Sequence, residues 1–217
     1  MRQSTKREPL SRERILRAAL GVVDSEGLEA ISMRRVGQEL GVEAMSLYNH
    51  VANKAAILDG LFEIVLAEMP AATKAATWQV ALRDNARALR LVLRAHPHTL
   101  PLFATRPAVT PASIIHVEAA LELLRKAGFS ADEALCTLQV MVAFVVGHTV
   151  AGYSPTRPEE ESRPAYEQLS KQDFPRVHEL VAVLARHDIE KEFEFGLEAM
   201  LAGLEARLTR RKPSRKE

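Results

Sequence analysis

Apolar residues recur along this chain at spacings of three and four, and alternating strand-like patterns are nearly absent. The pattern predicts an all-α protein. A first helix follows Ser11 and buries Ile15, Ala19 and Val22 together with Leu16, Leu20 and Val23, with Gly27 as its stop. Ser32 caps a second helix reaching about Leu40, and Gly41 ends it. A short third helix is expected from Ala44 to His50. Asn53 caps a fourth that runs to about Met69, where Pro70 breaks it. Beyond Pro70 the helices lengthen, with expected spans 76–95, 98–104, 111–127, 131–152 and 188–210. Residues 153 to 175 hold four prolines and the run Glu159, Glu160 and Glu161, which predicts a loop with a short helix from Ala165 to Ser170.

The expected organisation is an N-terminal arm and three-helix head (1–53), a connecting helix (54–70), a larger helical domain (71–210) and a basic tail (211–217). The boundary at 54–70 reads as continuous helix, so head and larger domain should be mechanically coupled.

Composition changes this picture little. With 47% hydrophobic and 26% charged residues the chain resembles an ordinary folded domain rather than a disordered one. A net charge of +1 says nothing about partners, but its distribution does. Residues 1–17 hold six basic side chains against two acidic ones, and residues 210–217 hold five against one. Basic ends of this kind follow phosphate backbones or simply stay solvated. Cys136 is the only cysteine and lies in an apolar run, so it is expected to be a buried structural thiol, and no intrachain disulfide can form. No signal-like segment opens the sequence, and no stretch approaches eighteen uninterrupted apolar residues. A cytoplasmic location and no membrane partner are expected. His96, His98, His116 and His148 share no ligand spacing, so no metal, cofactor or catalytic role is assigned to them.

The segment from Ser32 to Val51 has the layout of two helices around a tight turn. Met33, Val36 and Leu40 make an inner stripe, Gly41 permits the turn, Val42 fills the angle, and Leu47 and Val51 anchor the second helix. Ala44, Met45, Ser46 and Asn49 are left outward, with Tyr48 at the edge. Such a helix can enter a DNA major groove. Asn49 suits an adenine edge and Arg34 a guanine, while Ala44 and Met45 suit a thymine methyl. Ser32, Ser46, Tyr48, His50 and Lys54 suit phosphate oxygens. Any two amphipathic helices with a glycine between them would show the same spacing.

The stretch from Leu10 to Leu66 resembles the DNA-binding domain of the TetR (tetracycline repressor) family. The resemblance rests on SRERILRAAL (11–20), EGL (26–28), SMRR (32–35), QELGV (38–42), SLYNHV (46–51) and NK (53–54). It implies that Tyr48 and Lys54 hold phosphates and that Arg34 reaches a base. The operator-reading glutamine of the tetracycline repressors falls at Ala44 and the following proline at Met45, so a different operator is expected.

A weaker resemblance to that family's C-terminal domain runs to about Leu208. It rests on Trp78, RDNA (83–86), TRP (105–107), Val117 with Glu118, GFS (128–130), Gly147 and FGLE (195–198). The position of the family's magnesium-binding histidine holds Leu102, that of its glutamate Ala151, and that of its drug-contacting histidine Pro70. A hard cation needs oxygen ligands, which these side chains lack. Asn85 and Thr105 remain as polar positions among Leu89, Leu102, Val117, Ala120, Leu135, Leu138 and Val142. Such a lining suits a lipophilic effector, although the same residues would also fill a plain helical core.

The last long helices carry Leu138, Met141 and Val145, and Phe193, Leu197, Met200 and Leu204. Stripes of this kind are more than one domain needs to bury and suit a dimer interface, although a wholly internal core would show them too. The resemblance implies that two such helices from each subunit form an intersubunit four-helix bundle. The expected protein is a homodimeric repressor on palindromic double-stranded DNA, released by a small molecule. A helical enzyme or carrier is the rival reading, but no nucleophile with an adjacent base supports it. An activator, or a regulator without an effector, is a further alternative.

Overall fold

A computed structural model describes residues 9–70, 75–152, 169–184 and 186–211. Among the described residues there are ten α-helices and no strands: α1 (Arg12–Glu26), α2 (Met33–Leu40), α3 (Ala44–Leu47), α4 (Lys54–Ala67), α5 (Trp78–Ala95), α6 (Leu100–Thr105), α7 (Pro111–Ala127), α8 (Ala131–Gly152), α9 (Pro175–Leu184) and α10 (Ile189–Arg211). Single 3₁₀ turns cover Leu28–Ala30 and Pro97–Thr99.

The caps follow the sequence. The Arg14 amide donates to Ser11 Oγ (3.2 Å), Arg35 to Ser32 Oγ (3.1 Å) and Ala56 to Asn53 Oδ1 (2.9 Å), so each helix start satisfies an otherwise orphaned N–H. Gly41 closes α2 in the left-handed region at φ 65°, where a side chain would be strained. Thr110 and Ser113 form a reciprocal capping box at α7, and Ser130 and Glu133 exchange the same pair of bonds at α8.

Several helix ends differ from expectation: α5 starts at Trp78 rather than at 76, and α6 at Leu100 rather than at 98, where a 3₁₀ turn stands instead. Regular geometry in α3 stops at Leu47, and i→i+3 bonds from Tyr48 and His50 carry the turn onward, so that Leu47 and Val51 both stay buried. Helix α4 ends at Ala67 rather than Met69, because a residue before proline, here Met69, is sterically kept out of the helical region. Helix α9 was not expected. The 165–170 helix falls largely outside the described residues.

The chain forms two compact units that divide within α8, at Thr149 and Val150. The head and most of the expected larger domain therefore share the first unit. Its core joins α1 to α4 through Ile15, Leu16, Ala19, Ile57, Leu61 and Val65. The Leu16 side chain packs directly on Gly60 of α4: a Cβ there would overlap it. Phe62 stacks on Phe103 of α6 with centroids 4.2 Å apart, and Trp78 meets Phe129 edge-on at 5.2 Å. In the second unit Phe193, Leu197 and Leu201 of α10 are buried at four-residue spacing, and Ile189 packs on Gly152.

Helix α8 buries Ala134, Thr137, Met141, Val145, Val146 and Thr149. It is, among the described residues, the helix long and apolar enough to cross a membrane by composition, with a mean hydropathy of 1.8. Thr137, Gln139, His148 and Thr149 interrupt its apolar run, which is why a search for uninterrupted runs passes over it. Cys136 faces outward on this helix, contrary to the expected buried thiol. Periodicity could not decide this, because α8 is apolar around most of its circumference.

Candidate functional site

Helices α2 and α3 are held at a fixed angle from beneath. Val36, Leu47 and Val51 are buried, and Gly37 lies where α3 crosses α2. A Cβ at Gly37 would sit 3.0 Å from the Val42 carbonyl oxygen and 3.3 Å from the Ala44 Cα, so only glycine allows this approach without a backbone shift. Sequence reasoning passed over Gly37. Its signal was a glycine inside a helix, five residues before the turn residue Val42.

Above this support the expected contact residues face outward. Met45 is 75% exposed and Tyr48 47% exposed. Ser32, Arg34, Asn49, His50 and Lys54 are exposed, while Ala44 and Ser46 are half-buried. The Ser32 oxygen accepts the capping bond of α2, which leaves its hydroxyl proton free to donate to a phosphate. Arg35, beside Arg34, is instead engaged by Glu26 and Glu39. Those hydrogen bonds raise the guanidinium pKa, and the Arg35 hydrogen bond in turn lowers that of Glu26. Of the two neighbouring arginines, Arg34 is the exposed one.

Three polar ties fix α4, the helix that leaves the head. Arg12 of α1 donates from both terminal nitrogens to Glu63 (2.9 and 3.0 Å). The Arg12 hydrogen bond holds the Glu63 carboxyl below its usual range against the opposing effect of burial. Arg106, just after α6, donates to Asp59, with Nε 3.1 Å from Oδ1. His96, the C-cap of α5, lies between Asp24 of α1 and Glu68 at the end of α4. None of these pairings was visible in the sequence, because the partners lie 28 to 72 positions apart.

The expected effector positions sort by depth. Leu89, Leu102 and Ala120 are buried; Asn85, Val117, Leu138 and Val142 are half-buried. Thr105 is exposed, and its hydroxyl donates to the Pro101 carbonyl at 2.7 Å, so only its lone pairs remain for another group. Leu135 is 48% exposed. Among the described residues no group of His, Cys, Asp or Glu is arranged to hold a metal ion. Of the expected dimer residues, Met141, Val145, Phe193 and Leu197 are already buried within the single chain and have little area left for a second copy; Leu138, Met200 and Leu204 are half-buried.

Residues 15–61 match the family model described as bacterial regulatory proteins, tetR family, and residues 69–208 match the tetracyclin repressor-like C-terminal domain. The chain is 34% identical over 209 residues to the tetracycline repressor protein class E of Escherichia coli, covering 94% of each. It is 29% identical over 216 residues to the HTH-type transcriptional repressor DrrR1 of Streptomyces coeruleorubidus, covering 94% of this chain and 80% of the relative. The solved structure of the Streptomyces coelicolor TetR family protein ActR in complex with actinorhodin superposes with a TM-score of 0.82 at 31% identity, over 93% of this chain and 98% of that one. Two domain models that together span most of the chain, on a head with this geometry, leave one assignment: the protein belongs to the TetR family of transcriptional regulators, not to an enzyme family.

Proposed function

We propose that the protein is a homodimeric repressor that binds a palindromic operator and is released by a small lipophilic effector other than magnesium-tetracycline. The observation that carries the DNA reading is the outward set Arg34, Met45, Tyr48, Asn49, His50 and Lys54 on a head fixed by Val36, Gly37, Leu47 and Val51. Lys54 and Tyr48 contact phosphates, and Arg34 and Asn49 read base edges. Selection of duplexes by the protein from a randomised pool tests this. Enrichment of an inverted repeat is expected, and recovery of no preferred duplex would overturn it.

A symmetric dimer presents two heads to two half-sites. Support for a dimer comes from outward apolar and small residues at helical spacing: Cys136, Val140, Ala143 and Gly147 on α8, and Phe195, Ala199, Ala202 and Ala206 on α10. Phe195 is 78% exposed in the single chain, and burying it would remove an aromatic ring from water.

Effector chemistry follows from what lines the expected cavity. Leu89, Leu102, Val117, Ala120, Leu138 and Val142 offer apolar surface, with Asn85 as the polar group. Relatives of this fold include a protein solved with actinorhodin and others named as tetracycline repressors. Magnesium-tetracycline would meet Leu102, Ala151 and Pro70 where ligands are needed, losing hydration without replacement. Calorimetry with tetracycline, with and without magnesium, is expected to show no binding; magnesium-dependent binding would overturn this part.

A further inference from the structure

His96 is the point where three elements of the first unit meet. Its Nδ1 lies 3.0 and 2.9 Å from the two carboxylate oxygens of Asp24 on α1. Its Nε2 lies 2.8 Å from Glu68 Oε2 at the end of α4. The residue itself caps α5, and its side chain is only 14% exposed. A neutral imidazole donates from one nitrogen and presents a lone pair on the other. Here both nitrogens face carboxylates, so a neutral ring would set a lone pair against a negative oxygen. The imidazolium donates to both.

Asp24 from α1 and Glu68 from α4 are the charged groups that act on the ring. Its neighbour His98 has Nδ1 2.9 Å from the Val23 carbonyl oxygen of α1, so the same short segment touches the head twice.

We propose that His96 is a positioning residue for DNA binding: as the imidazolium it bridges Asp24 and Glu68, and so orders α1 and the end of α4 against α5 in the arrangement that binds the operator. The proposal rests on the DNA-binding reading above and adds its control by a proton. A head ordered in advance loses less conformational freedom when it docks, so the tie strengthens binding without touching DNA.

The sign of the effect follows from the ring's surroundings. Burial opposes the charged ring, but the hydrogen bonds to Glu68 and Asp24 outweigh it, and the His96 pKa is raised above its ordinary value. A raised folded-state pKa means the tie is complete below the usual histidine range and is lost as pH rises through the raised value. Operator binding should weaken over that interval.

The test uses the full chain, a duplex that the wild-type protein selects from a randomised pool, and the variants His96→Gln and Glu68→Gln. Between about pH 6 and about pH 8.5, wild-type affinity is expected to fall roughly three- to tenfold more than that of His96→Gln. Any contribution from His50 is common to both proteins and cancels. Imidazole NMR should place the His96 midpoint above the ordinary value, and Glu68→Gln should lower it. Equal pH dependence in wild type and His96→Gln would overturn the proposal, as would a His96 midpoint at or below the ordinary value. If the wild type selects no duplex, the DNA-binding reading fails instead, and the NMR midpoint still decides whether the tie exists.

Discussion

Gly37 allows a quantitative test of the head, because its nearest neighbours are backbone atoms rather than flexible side chains. In Gly37→Ala the new methyl meets the Val42 carbonyl at 3.0 Å and the Ala44 Cα and amide nitrogen at 3.3 Å. All three are backbone atoms, so relief requires α3 to move by a few tenths of an ångström. Alanine gains about 1 kcal/mol of helix propensity over glycine. Overpacking of this kind costs roughly 1–3 kcal/mol. The net is a loss of up to about 2 kcal/mol, or a few degrees in melting temperature for a chain of this size. Gly21, inside α1, is the matched control: it is exposed and nothing lies within 4 Å of the added carbon. Gly21→Ala should raise the melting temperature by about 2–4 °C, from the propensity gain alone. Operator affinity separates the two further, since only Gly37→Ala displaces α3, which carries Met45, and the turn after it, which carries Asn49. Loss of one base contact there would weaken binding by about 1–3 kcal/mol. If Gly37→Ala were as stable as Gly21→Ala and bound DNA normally, the close crossing of α2 and α3 would be refuted.

Lys54→Ala and Tyr48→Phe should weaken binding to all duplexes about equally, whereas Asn49→Ala or Arg34→Ala should cost roughly 1–3 kcal/mol and relax preference at one base pair, as read by competition between sequence variants. Phe195→Asp should shift the sedimentation profile from dimer toward monomer with the helical content unchanged; an unchanged profile would count against the outward face of α10 as an interface. Arg12→Ala should lower the melting temperature at neutral pH, and the difference from wild type should shrink as pH falls below the ordinary carboxylate range near 4.5, because the lowered pKa of Glu63 makes its contribution present above that range and lost beneath it.

Much of the head was legible because local chemistry specifies it. Ser11, Ser32 and Asn53 can each cap only the helix that follows, and Gly41 supplies the one turn that leaves Val42 and Leu47 facing the core. What escaped the sequence is decided by tertiary packing. Helix α8 has apolar residues on several faces, so spacing could not tell that Thr137 and Met141 turn inward while Leu135, Cys136 and Val140 turn outward. Apolar stripes named Met141, Val145, Phe193 and Leu197 as interface residues, whereas the single chain already encloses them. Helix α9 carries Pro175 at its start and apolar Val177, Leu180 and Val181, but it follows a proline-rich stretch that reads as loop. The role of His96 has no local signal, since its carboxylate partners come from two distant helices.

The outward thiol of Cys136 has a practical consequence. With one cysteine in the sequence and that one exposed, a maleimide probe would mark the natural protein at a single position on α8 without any engineered substitution. In a symmetric pair that gives one label per chain and a single label-to-label distance. The rate of alkylation would itself report assembly: dilution toward the separated chain should speed the reaction if the face carrying Cys136, Val140 and Ala143 is covered by a second copy, and addition of the cognate DNA, by holding the pair together, should slow it.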